Sequence, residues 1–467
     1  MGRFQAADRG SDPAQPLLAA LQAPAPSLAL HLPAHARGRG LPPDLRRLLR
    51  RRPGSWDLPE LPAIGGPLLP DGAVAETQRR CAALLGADRC WLGVNGASGL
   101  LQVALLALCP PGSRVLLPRN LHRSLLHACV LGRLQPVLYS LPFDPLSGLW
   151  LPADPAHLRR VLAAAPGPVA ALVLVDPTYQ GLAADLAALV EIAHGAGLPV
   201  LVDQAHGDGA AVAAGADLVV LSSQKAAGGL AQGAVLLARG GRCPPAAIER
   251  SLLWLQTSSP SALLLASAAA ALAHRHSAEG QRLWRRAERR ALGLRRTLEG
   301  HGFRLVANQD PLRLVLATAP EGFSGLDADA WLMARGVLAE LPEPGALTFC
   351  LGPRPPWGLA GRLSRRLLAL RRDLGGAPLA PFLAPPLPLV AQPELELGDA
   401  WRAATTAVPL AAATGRIAAE ALCPYPPGIP LLVPGERIDA ARSDWLLRQR
   451  QLWPGQIADT VRVVVDS

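Results

Sequence analysis

Of the 46 basic side chains in this 467-residue sequence, Lys225 is the only lysine and the remaining 45 are arginine. A solvated surface site asks only for positive charge, so arginine can stand almost anywhere. It cannot stand where the nitrogen must lose its proton and form a covalent bond. A desolvated lysine can do so, as a neutral nucleophile or as a partner for a carbonyl group. Lys225 closes the run Ser222-Ser223-Gln224-Lys225, just after the apolar stretch Leu218 to Leu221. That setting points to covalent chemistry.

An amine that bonds to the aldehyde of pyridoxal phosphate needs three supports: an acid for the pyridine nitrogen, a flat group over the ring, and hydroxyls or backbone amides for the phosphate. The sequence offers a candidate for each. Asp203 ends an apolar run, and Lys225 follows the next one. His122 lies just past another and could stack on the ring, and His206 is a further candidate for a ligand role. Asn95-Gly96-Ala97-Ser98-Gly99 leads into a helix, whose first amides and the Ser98 hydroxyl could receive phosphate. Plainer readings stand beside these. Asp203 could cap a turn, either histidine could be a packing residue, and a Gly/Ser helix start is common.

The elements that must position these residues are legible between about residues 75 and 240. Helical stretches (Ala75 to Leu85, Gly99 to Leu108, Leu121 to Leu131, Asp185 to His194) alternate with short apolar runs. Those runs are Arg114 to Pro118, Pro136 to Tyr139, Ala170 to Val175, Pro199 to Val202, Leu218 to Leu221 and Ala234 to Ala238. The alternation predicts an α/β fold with a parallel sheet covered on both faces. Ligands of such sheets sit at the carboxyl ends of the strands. The informative polar groups fall there: Arg119 to His122, Asp176 to Tyr179, Asp203 to His206, and Ser222 to Lys225. Further on, Ser261 to Gly300 reads as one long helical segment and Pro378 to Pro393 as a linker.

Half of the residues are hydrophobic, enough for a substantial core. The longest apolar stretch, Ala262 to Ala273, falls short of a membrane span. The opening residues lack a signal-peptide core. Seven scattered cysteines without CxxC spacing suit free thiols, no metal site and a reducing cytoplasm. The net charge of +10 comes from arginine clusters at 46–52, 285–296 and 362–372. With no interleaved aromatic residues, these read as solvated helix faces, and no nucleic-acid partner is expected.

Several motifs in order make the chain resemble the pyridoxal-phosphate-dependent ornithine/lysine/arginine decarboxylases, in the short form without a receiver-like N-terminal domain. Leu30 to His35 and Arg37 to Gly40 are similar to the family's His-x-Pro-Gly-His segment, with Ala34 in place of glycine. Pro118-Arg119-Asn120-Leu121-His122-Arg123-Ser124, Pro177 to Gly181, Val202 to Gly207 and Gln256 to Ser261 follow. Pro424 to Pro430 and Pro434-Gly435-Glu436 resemble its C-terminal signature.

The resemblance implies a type I pyridoxal-phosphate fold with a mostly parallel central sheet and a smaller C-terminal α+β domain. The expected divisions are an arm over 1–55, a cofactor-binding domain over 56–300, a small α/β domain over 301–385 and a C-terminal domain over 386–467. It implies that Lys225 bonds the cofactor aldehyde, Asp203 pairs with the pyridine nitrogen and His122 stacks on the ring, with His206 also catalytic. Ala97, Ser98 and Ser222 fall at phosphate positions, Thr257 at the phosphate of a neighbouring subunit in a homodimer or larger assembly, and Glu436 at the distal cation of an amino-acid substrate. The implied reaction is decarboxylation of arginine, lysine or ornithine. Two departures leave alternatives open: Gln224 stands where the family has His, and Gln204 where it often has Glu. Glutamine hydrogen-bonds but does not titrate. Transamination, aldol-type cleavage or a cofactor-binding homologue without activity would also suit the sequence.

Overall fold

Runs such as Ala-Leu-Val-Leu-Val carry apolar side chains on both pleat faces, so they are stable only with helices packed above and below. The computed structural model describes residues 24–465 together with Leu17, Ala20 and Leu21, and the remaining opening residues of the expected arm lie outside the described residues. Seven of the eight strands in the central sheet are β1 (Arg89–Gly93), β2 (Arg114–Pro118), β3 (Gln135–Tyr139), β4 (Ala171–Val175), β5 (Val200–Asp203), β6 (Leu218–Ser222) and β7 (Ala234–Ala238). Their order is β3-β2-β4-β5-β6-β7-β1. β3, β2, β4, β5 and β6 pair in parallel, and β7 runs antiparallel to both β6 and β1. Helices Ala73–Leu85, Leu186–Gly195 and Ala262–His276 bury one face, and Gly96–Leu108, Ser124–Gly132 and Pro245–Leu255 bury the other.

The six apolar runs expected as strands are all strands, with ends within one or two residues. β1 was absent from that reading. Its Arg89-Cys90-Trp91-Leu92-Gly93 is short, begins with an exposed charge and becomes a strand by pairing with β7 at the sheet edge. The segment expected to be helical forms two helices, Ala262–His276 and Ala278–Gly300. Ser277 breaks it: its hydroxyl accepts from the Gly280 amide at 3.0 Å and donates to the His274 carbonyl at 2.8 Å, a cap that starts the second helix. The proline-rich stretch ends in Val390–Ala391, which adds an antiparallel edge to β3.

A three-stranded antiparallel sheet of Arg313–Ala317, Ala346–Cys350 and Leu341–Glu343 follows the long helices. The chain closes with the antiparallel pair Thr405–Pro409 and Thr460–Val464. Leu28–Ala29 pairs in parallel with Val337–Leu338, which carries the N-terminal segment back over the ends of the central strands. Among the described residues, no helix is long and apolar enough to cross a membrane.

Candidate active site

Strand register gathers the polar groups. Ala234 pairs with both Ser222 and Gly93, so β6 and β1 end level with each other. Val175 pairs with Asp203, and Asp203 with Val220. Lys225 lies on the short helix Ser223–Ala226 that begins as β6 ends. Ser223 fixes that helix, because its amide and hydroxyl both donate to the Gly233 carbonyl, at 3.1 and 2.8 Å. The Lys225 Nζ stands 3.1 Å from His206 Nε2 and 5.7 Å from the centre of the Tyr179 ring. Burial pushes the Lys225 pKa down, against the opposing pull of the Asp203 and Glu340 charges. A larger share of the amine is therefore neutral and nucleophilic.

Asp203 is buried, and burial pushes its carboxyl up; the Ala205 amide, 3.1 Å from Oδ1, and the Lys225 charge oppose that. A carboxylate in this state calls for a proton-bearing partner. The His206 ring, its pKa pushed well down by burial and then by Lys225, is neutral. Its Nδ1 is a buried polar atom without a hydrogen-bond partner among the described residues. Such a group costs free energy until something polar meets it. Both features fit a heteroaromatic cofactor with polar substituents bound beside Lys225.

Tyr179 packs against His206 with ring centres 4.2 Å apart, and its hydroxyl donates to Glu340 Oε1. Glu340 Oε2 accepts the Leu32 amide at 2.6 Å. The N-terminal segment is thereby tied over the site. It is also held by the Ala34 amide, which donates to the Gln224 carbonyl at 2.9 Å. Ala34 lies outside the left-handed region, so its methyl in place of glycine needs no strained backbone. Gly352 pays that segment a closer approach, since a Cβ there would lie 2.1 Å from the Ala34 carbonyl oxygen.

His122 sits at the rim past β2. Its Nδ1 takes hydrogen bonds from Ser124 Oγ at 2.8 Å and the Ser124 amide at 3.3 Å. Partial burial, with Lys225 and Arg123 nearby, pushes its pKa down to about 4, though the ring still meets solvent and screening tempers the shift. The amides of Ala97 and Ser98 lie in the first turn of Gly96–Leu108, where no helical carbonyl is available to them. Ser222 is buried at the end of β6, with β7 between it and β1.

Two candidates lie elsewhere. Thr257 is exposed in the loop after Pro245–Leu255, next to Leu253 and Trp254, which are 69% and 83% exposed. Glu436 is buried and fully engaged. It receives Arg119 Nη2 at 2.6 Å and Nη1 at 2.9 Å, and the Val433 amide at 2.8 Å, with Arg442 Nη1 at 3.3 Å. Neither oxygen is left for a substrate cation, so the expected substrate contact is set aside in favour of a structural ion pair.

Tyr179 and Glu340 were not among the expected site residues. Tyr179 lay within a motif already singled out. Glu340 comes from a region without a motif, where the only signal was a charge at the edge of an apolar run.

Gln204 also has a different task from the one its position suggested. Its Oε1 accepts the amides of Gly209 and Ala211 at 3.1 and 3.2 Å, so it holds the turn that follows His206. That task needs an acceptor and not a titrating group. Gln204→Glu is expected to fold and turn over within about threefold of wild type. Gln204→Leu, which leaves two buried amides unpaired, should lose about 2–4 kcal/mol in denaturant titrations.

Residues 16–332 match the model of the Orn/Lys/Arg decarboxylase major domain, and residues 386–454 that of its C-terminal domain. The chain is 30% identical over 443 residues to the arginine decarboxylase of Bacillus subtilis (strain 168), covering 90% of this chain and 89% of that one. It is 28% identical over 445 residues to the arginine decarboxylase of Bacillus anthracis, with the same two coverages. Among solved structures, lysine decarboxylase A from Pseudomonas aeruginosa superposes with a TM-score of 0.74 at 19% identity, covering 92% of this chain and 82% of that one. That last likeness concerns the fold.

Proposed function

The chain belongs to the Orn/Lys/Arg decarboxylase family, and we propose that within it the protein converts L-arginine to agmatine and CO₂. The family makes it a pyridoxal-phosphate-dependent amino-acid decarboxylase of fold type I. The arginine assignment rests on one observation, the near full-length similarity to relatives named arginine decarboxylase.

Pyridoxal phosphate, when bound, supplies an aldehyde for the substrate amine and a conjugated ring that takes up the electron pair left as CO₂ departs. Each side chain then has a task supported by its setting. Lys225 gives up a proton easily because it is desolvated, which frees its Nζ to bond and later to return. Asp203 would hold a proton on the ring nitrogen, since its buried carboxylate favours a hydrogen-bonded cation over solitude. His206 orients the Lys225 amine through Nε2. His122 would cover the ring in its neutral form. The first-turn amides of Ala97 and Ser98, with Ser222, take the phosphate. Thr257, exposed in this chain, would complete the site of a partner subunit in a homodimer.

The deciding experiment is a panel of L-arginine, L-lysine and L-ornithine with the holoenzyme, scoring CO₂ and amine. Agmatine formation with a kcat/KM for arginine at least tenfold above the other two is expected. Equal rates, or preference for lysine, would reject the arginine reading.

A further inference from the structure

Arg313 is a buried cation that the reaction as described leaves without work. It opens the strand Arg313–Ala317 opposite Cys350 and is 3% exposed. Its nearest acid is Asp310, 4.0 Å from Nε, at the limit of an ion pair. Asp310 is itself partly solvated and already accepts the Leu312 amide at 2.9 Å. The Nε of Arg313 is buried with no hydrogen-bond partner among the described residues. A guanidinium withdrawn from water and left in this state is costly, and its planar fork suits a carboxylate held by two parallel hydrogen bonds.

The surroundings place this cation at the site. The loop carrying Tyr179 packs on its stem: a Cβ on Gly181, whose φ is +79°, would lie 3.0 Å from the Arg313 Cβ and 3.1 Å from its Cγ. Asn308 Nδ2 locks the two together by donating to the Gln180 and Arg313 carbonyls, at 2.6 and 2.7 Å. The charge of Arg313 is felt at both Lys225 and His206. Glu340, whose charge also acts on Arg313, is committed to Tyr179 and the Leu32 amide. The expected phosphate positions, Ala97, Ser98 and Ser222, lie on the opposite flank, at the β6 and β1 ends, so phosphate is not the missing anion.

We propose that Arg313 binds the α-carboxylate of the amino-acid substrate, from its place beside the Tyr179 loop and without a close carboxylate of its own. The inference rests on the amino-acid decarboxylation of the family and not on the choice of arginine. A guanidinium grips the carboxylate in the bound substrate more firmly than it grips departing neutral CO₂. Its contribution is therefore to selection and placement, and it appears in KM rather than in kcat.

The test compares ligands with and without the carboxylate. In holoenzyme carrying Arg313→Gln, KM for L-arginine should rise tenfold or more with kcat within about threefold, while the inhibition constant of agmatine stays within about twofold. Calorimetric titration of borohydride-reduced holoenzyme, which cannot turn over, should show the same split. Arg313→Lys keeps the charge and should fall between wild type and Arg313→Gln. Parallel weakening of both ligands, an unchanged arginine KM, or loss of the fold in both variants would overturn the proposal. Should the panel select lysine, the paired comparison is run with lysine and cadaverine, so failure of the substrate assignment stays separate from failure of this one.

Discussion

Lys225→Ala is expected to lower decarboxylation by about 10⁴-fold or more, equivalent to roughly 5 kcal/mol of barrier, with the fold retained. No other side chain in the sequence carries a primary amine. No neighbouring lysine can take over the bond, and Lys225→Arg should fail as completely, because guanidinium stays protonated. The chemical readout is equally clean. Borohydride treatment of the wild-type holoenzyme should leave a stable pyridoxyl mass on the peptide containing Lys225, and none on either variant. Cofactor should still bind both variants noncovalently, since Asp203 and the first-turn amides remain. Activity within tenfold of wild type, or an adduct absent from Lys225 in the wild type, would refute the central role of this residue.

The clustering of that site was legible in the sequence for a physical reason. In a parallel sheet, each apolar run predicts a strand, and the polar residue that ends the run falls on one rim. Asp203, Lys225 and His122 fall on that rim by sequence alone, and the register of β5 and β6 sets Asp203 opposite Val220, just upstream of Lys225 on the same strand-to-helix turn. β1 was not legible, because an edge strand starting with an exposed arginine draws its identity from β7 and not from its own pattern. Glu340 and Arg313 escaped for a related reason. Arg313 opens a strand of a second sheet and Glu340 immediately precedes another, both more than 85 residues from Lys225, and no local period encodes such a meeting. Gln204 was legible as a departure, but its consequence was not. Only the turn it holds shows that an amide oxygen suffices there.

Glu436→Gln is expected to lower stability by about 3–5 kcal/mol, the usual effect of depriving a buried ion of its partner. Arg119 is 1% exposed and Glu436 3%, so neither charge can turn to water when the other is removed. Arg119 extends β2 three residues before His122, while Glu436 belongs to the C-terminal segment. Their bond pins that segment to the rim of the central sheet, assisted by the weaker Arg119 contact to the Leu431 carbonyl at 3.4 Å. The expected loss is thus in the denaturation midpoint, with KM for arginine changed by less than about threefold in the folded protein. The double variant Arg119→Met/Glu436→Leu removes both charges of the pair and should recover part of the lost stability, the remainder being the cost of leaving the Val433 amide and Arg442 without the Glu436 carboxylate. A large rise in KM at unchanged stability would instead return Glu436 to the substrate's distal cation, and would require its carboxylate to leave Arg119 during binding.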